Sequence, residues 1–406
     1  MNSKKIIDDN HDNSRIDYGI ILNVFILALI GLLALYVAVS HETNPNAGNP
    51  IKAVIVQGLW YIVSGVIIVV IMQLDAEQLW RIAPIVYGLG IVLLILVLFL
   101  YSRNLKLSTG SRSWFAIGSL TFQPSEVMKP AYILMLSRVV ATHNSKYDEH
   151  TVHNDMILLG KLILWTLPVV VLIMLQPDLG TTLVFLAIFC GIVLISGITW
   201  KILVPVFLFL VIIGSTAIMF VTTTWGQTFL KAIGFKAYQF ARINTWLDPS
   251  NSQNLQGSGY QLWQSMKAIG SGQLWGRGFD HSQVYVPVRE SDMIFSVIGE
   301  NFGFVGSCIL ILLYFLLIYQ MIRVTFETKN EFYAYISTGV IMMILFHVFE
   351  NIGMNIGLLP LTGVPLPFLS QGGSSLMADM IGVGLIMSMR YHYKSYMFSS
   401  VGDSFN

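Results

Sequence analysis

Ten apolar stretches, each 18 to 30 residues long, follow one another along this 406-residue chain with few charged side chains inside them. They run over residues 18–40, 52–73, 81–101, 125–142, 158–175, 180–198, 201–222, 293–322, 332–358 and 374–391. A hydrocarbon core about 30 Å thick is crossed by about 20 apolar residues of helix, so each stretch is long enough to span. Asp, Glu, Lys and Arg make up 11% of the chain, where a soluble domain carries about 25%. Too few charges are present to cover a soluble protein of this size, and the chain is too apolar to stay disordered. A net charge of +1 gives no footprint for nucleic acid. The sequence therefore predicts an all-α polytopic membrane protein of about ten transmembrane helices, one integral domain over residues 1–406.

The polar first 17 residues and the long apolar run after them lack a small-residue cleavage site. They read as a retained first helix, not a cleaved signal peptide. An even number of spans puts both termini on one side. With the N-terminus inside, inner segments hold twelve Lys and Arg, among them Lys4, Arg138, Lys201 and Arg323. The short outer loops hold four, Lys52, Arg103, Lys106 and Arg112. This bias predicts cytoplasmic termini. Residues 223–292, between spans seven and eight, then form one long extracytoplasmic loop. It carries Trp225, Trp246, Trp263 and Trp275, and its stretch Phe229–Trp246 has the mixture of an amphipathic helix, on the membrane surface or against the protein. Cys190 and Cys308 lie in apolar runs and read as small packing residues.

Even-numbered spans enter from outside, and several begin with helix-start chemistry. Span four opens at Gln123-Pro-Ser-Glu126, span six after Gln176-Pro-Asp178, span eight at Glu290-Ser-Asp292, and span ten at Gly372-Gly-Ser374-Ser375. Pro in the first turn and Ser or Asp at a cap satisfy orphan N–H groups. Taken together, these starts bring several positive helix ends to the outer face, where a phosphate can be bound. Arg112, in Gly110-Ser-Arg-Ser-Trp114, can add a contact to phosphate oxygens. Ionisable residues inside spans are costly and suggest function; here they are Lys129, Glu300, His347, Glu350 and Asp379. Lys129 stands one turn from Glu126, a spacing that also fits a structural ion pair, and His347 and Glu350 share that spacing. Asp292 sits at the membrane boundary, where a helix N-terminus favours its ionised form and a carboxylate can serve as general base or merely as a cap. The glycine-rich piece 270–278 lacks the context of a nucleotide motif. On residues alone, a transporter or lipid flippase using the intramembrane charges remains an alternative.

These segments, in this order, resemble the SEDS family (shape, elongation, division and sporulation). The likeness rests on Gly110-Ser-Arg-Ser-Trp114, Gln123-Pro-Ser-Glu-Val-Met-Lys129, Gln176-Pro-Asp-Leu-Gly-Thr181, Arg242-Ile-Asn-Thr-Trp-Leu-Asp-Pro249, Val286-Pro-Val-Arg-Glu-Ser-Asp-Met293, Gly299-Glu-Asn-Phe-Gly303 and Pro365-Leu-Pro-Phe-Leu-Ser-Gln-Gly-Gly-Ser-Ser375. The resemblance implies a ten-span peptidoglycan glycosyltransferase that polymerises lipid II on the outer face of the bacterial cytoplasmic membrane. It implies undecaprenyl-pyrophosphate-linked substrates and a class B penicillin-binding protein as partner. It places the family's essential aspartate on Asp292, with Arg112, Gln123, Ser125, Glu126, Lys129, Asp178, Glu290, Ser374 and Ser375 as candidate substrate contacts. A divalent cation, magnesium or manganese, is a further candidate. The family's usual Gly-Glu-Glu is Gly299-Glu-Asn301 here, and its usual Ser-Tyr-Gly-Gly is Ser370-Gln-Gly-Gly373. The start Arg15-Ile-Asp-Tyr-Gly19 and the short termini are more like the RodA branch than the FtsW branch.

Overall fold

The computed structural model describes residues 15–42, 49–118, 120–147, 149–232, 246–248 and 258–402. In chain order the helices are α1 (Tyr18–Ser40), α2 (Pro50–Met72), α3 (Ala76–Leu100), the short α4 (Arg103–Thr109), α5 (Pro124–Asn144), α6 (Val152–Met174), α7 (Leu179–Ile195), α8 (Trp200–Thr222), α9 (Thr224–Ala232), α10 (Ser258–Ser271), α11 (Ile294–Thr328), α12 (Glu331–Asn355) and α13 (Gly373–Gly402). Each of the ten expected spans coincides with one long helix. Among the described residues seven of these (α1, α2, α3, α6, α8, α11 and α12) are long and apolar enough to cross a membrane, and α7 is apolar but shorter. Helices α5 and α13 carry buried Glu126, Lys129, Asp379 and Arg390, which lower their hydropathy. The chain is an all-α polytopic membrane protein.

Boundaries differ from the hydropathy reading where caps intervene. Helix α3 starts at Ala76, not 81, because Asp75 and Gln78 form a reciprocal capping box. Helix α6 starts at Val152, not 158, where the Thr151 hydroxyl accepts from the Asn154 N–H. Not foreseen from the sequence are the short helix α4, helix α10 and a hairpin of β1 (Phe115–Ile117) and β2 (Leu120–Phe122), pairing Phe115 with Phe122 and Ala116 with Thr121. Gly118, at φ +63°, opens its two-residue turn.

Helices α5 and α12 form the centre. Helix α5 packs on α3, α6, α7, α12 and α13, and α12 also packs on α7 and α11. Helix α12 is largely buried, whereas α8 stands almost fully exposed at the edge of the bundle. Cys190 and Cys308 are exposed on this apolar surface and do not fill the core, contrary to the expected packing role. Trp225 and Trp275 are exposed, whereas Trp246 donates its indole N–H to the Gly357 carbonyl at 3.0 Å. The expected amphipathic stretch Phe229–Trp246, and most of the Arg242–Pro249 motif, lie outside the described residues.

Helix α11 is longer than one crossing requires and is broken at Gly303 (φ +64°, ψ −158°). The stretch 273–278 repairs the break. Phe304 N–H donates to Gln273 O at 2.8 Å, and Arg277 N–H to Glu300 O at 3.0 Å. The two backbones approach so closely that a β-carbon on Gly303 would stand 2.3 Å from the Gly276 nitrogen. The two glycine-rich motifs of the sequence are thus the two sides of one contact.

Candidate functional site

Four helix N-termini meet at one end of the bundle and enclose a cavity of about 990 Å³. Gln123 precedes α5, Asp178 precedes α7, Asp292 comes just before α11, and Ser374 and Ser375 lie in the first turn of α13. All five line the cavity, together with Glu126 and Lys129 from the first two turns of α5. Convergent N-termini give this wall unpaired N–H groups and a positive potential suited to an anion. Asp178 caps α7, its Oδ1 accepting from Thr181 N–H at 3.1 Å, and its Oδ2 accepts from Gln123 Nε2 at 3.1 Å. Gln123 in turn donates its N–H to Ser374 Oγ at 3.1 Å, which binds α5, α7 and α13 into one wall.

The expected Glu126–Lys129 pair exists, and a third residue joins it. Lys129 Nζ donates to both Glu126 carboxylate oxygens at 2.8 Å and to His347 Nε2 at 2.9 Å. His347 Nδ1 bonds to the Met343 carbonyl at 2.5 Å, so Nδ1 carries the proton and Nε2 is the acceptor. Glu126 and His347 thus hold the ammonium from two sides. His347 pairs with Lys129, not with Glu350, correcting the spacing-based pairing. Lys129 lines the cavity, with its ammonium tied to α12 through His347.

Asp292 differs from expectation in its electrostatics. The cap of α11 is Met293, and no side chain caps that helix. The Asp292 carboxylate receives one side-chain hydrogen bond, from Ser291 Oγ at 3.2 Å. Burial pushes its pKa up to about 7; the Ser291 bond opposes this, and the charges of Glu290 and Asp178 add to it. The carboxyl keeps contact with the cavity, and protein surrounds it elsewhere. Gly363, at φ +78°, leaves the room it needs: a β-carbon there would stand 3.1 Å from Oδ2.

Three of the ten candidate residues do not line the cavity. Arg112 is exposed and lies over the Tyr101 ring at 5.5 Å, while its N–H donates to Gln176 O at 3.1 Å. Its neighbours Ser111 and Trp114 do line the cavity. Ser125 is buried, with no hydrogen-bond partner for its hydroxyl among the described residues. Glu290 is set beside the site; its carbonyl accepts from Gln371 N–H at 2.9 Å, and burial raises its carboxyl pKa. Glu300 is an internal anchor. It pairs with Arg289 and accepts from Gln283 N–H at 2.8 Å and Val284 N–H at 3.1 Å, holding the strap that leads to Asp292. Sequence reasoning missed the Arg289–Glu300 pair, because eleven residues separate the partners and neither helical nor strand spacing links them. It also missed Gly363, although a glycine between Thr362 and Val364 in an otherwise apolar connection was a visible cue. No group of three His, Cys, Asp or Glu suited to a metal exists among the described residues.

The family described as "Cell cycle protein", comprising FtsW, RodA and SpoVE, matches residues 18–395. Peptidoglycan glycosyltransferase MrdB of Escherichia coli K12 is 34% identical over 341 residues, 82% of this chain and 84% of its own. A solved chain from work on the structural coordination of polymerization and crosslinking by a peptidoglycan synthase complex superposes with a TM-score of 0.74 at 26% identity, covering 93% of this chain and 98% of that one. The crystal structure of Thermus thermophilus rod shape determining protein RodA gives a TM-score of 0.64 at 26% identity, covering 92% and 96%.

Proposed function

Because the chain belongs to the FtsW, RodA and SpoVE (SEDS) family of membrane-embedded peptidoglycan glycosyltransferases, we propose that it polymerises lipid II into glycan strands at the outer face of the cytoplasmic membrane, with Asp292 as general base. The observation that carries the reading is the placement of Asp292. It is a carboxyl with a pKa raised to about 7, on the wall of a cavity ringed by four helix N-termini.

The reaction needs an acceptor hydroxyl, a donor anomeric carbon and a place for the leaving diphosphate. Asp292 takes the proton from the acceptor GlcNAc 4-hydroxyl. That oxygen forms a bond to the donor's anomeric carbon, and the bond from this carbon to undecaprenyl pyrophosphate breaks, the electron pair leaving on the diphosphate. A base with a pKa near the operating pH is best matched to this work, and such help is worth about 10²–10⁴-fold. The N–H groups before Thr181 and at the start of α13 face the developing negative charge. Lys129, tied to Glu126 and His347 and lining the cavity, adds positive charge beside the diphosphate. Arg112 acts from the rim, where lipid headgroups arrive. A magnesium or manganese ion would be held by Asp178 and Asp292, the cavity-lining carboxylates outside the Glu126–Lys129 ion pair. Such an ion supplies charge neutralisation to the leaving group.

The likeness to MrdB and to RodA supports a part in cell elongation and shape rather than division. The complex that contains the other structural neighbour supports a class B penicillin-binding protein as partner, supplying transpeptidation. Both termini lie in the cytoplasm on this reading. The test is glycan synthesis by the purified chain from lipid II in detergent, where transport is impossible. Glycan from the native protein and its loss in folded Asp292→Ala support the reading; normal synthesis by Asp292→Ala refutes the base, and no product under any condition favours a transporter. A chelator followed by magnesium or manganese addition decides the cation. Loss and recovery of product are expected.

A further inference from the structure

Asp292 reaches the cavity with its carboxylate held by one weak contact to its neighbour Ser291, so something else must fix its position. The main chain supplies the answer. The Asp292 carbonyl oxygen accepts from two side-chain amides of α12, Asn351 Nδ2 at 2.8 Å and Asn355 Nδ2 at 3.1 Å. Both asparagines are fully buried. A buried amide is costly unless its polar atoms are paired, and these are. Asn351 uses a second N–H on the Val364 carbonyl at 2.8 Å, next to Gly363, the residue that lies against the Asp292 carboxylate. One amide therefore clamps the base-bearing strap and the segment packed against its carboxylate to the same turn of α12.

The network continues outward. Asn355 Oδ1 accepts from Ser265 Oγ at 2.8 Å, and Ser265 is a fully buried residue of α10, which packs on α11 and α12. Packing glue between helices needs only one such bond. Here two donors converge on the carbonyl of a single residue, and a third residue ties them to a separate helix.

We propose that Asn351 and Asn355 are positioning residues that set the Asp292 carboxylate against the cavity wall, and that Ser265 links their geometry to the outer helix α10. This rests on reading Asp292 as the base. A displacement of about 1 Å in a reacting group costs about 10²-fold in rate. Asn351→Ala is therefore expected to lower kcat on lipid II by about 10- to 100-fold with KM unchanged, since the substrate contacts remain. In the Asp292→Ala background the same substitution is expected to add no further loss, because its effect passes through Asp292. Ser265→Ala, which removes a single hydroxyl, is expected to lower kcat less, again at constant KM. Thermal unfolding and gel filtration in detergent establish which variants are folded. A folded Asn351→Ala with native kcat, beside an inactive Asp292→Ala, overturns the positioning role and leaves the base standing. An active Asp292→Ala removes the base reading and this inference with it. If Asn351→Ala does not fold, Asn355→Ala and Ser265→Ala decide: native kcat in both overturns the proposal, and a kcat loss at constant KM supports it.

Discussion

Burial holds the Asp292 carboxyl protonated until about pH 7, so on the proposed reading the base is present only above that pH. The sign follows directly. A carboxyl whose folded pKa is raised binds its proton more tightly folded than unfolded, where the value is about 3.9. Below about 3.9 both states are protonated and the group is neutral in its effect relative to the protonated fold. As pH rises towards 7 the unfolded state gains by ionising, and folding stability falls. Activity should therefore climb with pH through a midpoint near 7, measured as initial glycan synthesis, while stability falls between about pH 4 and 7 and levels off above that. Asp292→Asn should abolish the rise, lower the rate by about 10²–10⁴-fold, and raise the thermal midpoint at pH 8 but not at pH 4. Gly363→Ala puts a methyl against Oδ2 at a φ that side chains rarely adopt. It should lower kcat at least as strongly as it lowers stability. Asp292, Lys129 and Asp178 were legible in the sequence, because charges are rare in such a chain and stand out where they occur. The direction of the Asp292 shift was not legible. It depends on Met293 taking the cap and on protein enclosing the carboxyl, which no local pattern encodes.

The strap before α11 is an element with two anchors, and each has a distinct failure. Arg289 and Glu300 are both buried, so neutralising one partner strands a charge away from water. Glu300→Gln should cost about 3–5 kcal/mol of stability, read from detergent unfolding, and the double variant Arg289→Met with Glu300→Gln should recover much of it. The broken helix is the second anchor. Gly303 holds a backbone geometry open in practice only to glycine, and Gly276 lies against it. Gly303→Ala adds strain of about 1–3 kcal/mol and a steric clash, so the folded yield should fall before any effect on catalysis can be read. The ten long helices were legible because long apolar runs have one use in a membrane protein. The break in α11 was not, since hydropathy runs across Gly303 unchanged and the repair comes from residues 273–278 on a separate element. The hairpin β1–β2 was missed for a related reason: three-residue strands are too short for alternation to register.

At the scale of the whole molecule, the surface that looks exposed is mostly a surface facing hydrocarbon. Cys190 and Cys308 are exposed on the fold yet lie within apolar helices, α7 and α11. A thiol must ionise to react, and the membrane interior opposes that charge. Both should stay unmodified by a water-soluble maleimide in native membranes and become reactive once the protein is unfolded in denaturant. Labelling of either in sealed membranes would show that α7 or α11 borders water. The same reagent decides orientation when both cysteines are replaced by alanine. Leu107 on α4 is 87% exposed, and its helix leads to Thr109 and Ser111 at the cavity mouth. Lys146 is exposed at the opposite end of α5. In intact cells Leu107→Cys should react with the impermeant maleimide and Lys146→Cys should not, and permeabilisation should make Lys146→Cys react. The reverse pattern would put the cavity at the cytoplasmic face, where polymerised glycan could not leave, and would remove the outer-face reaction altogether.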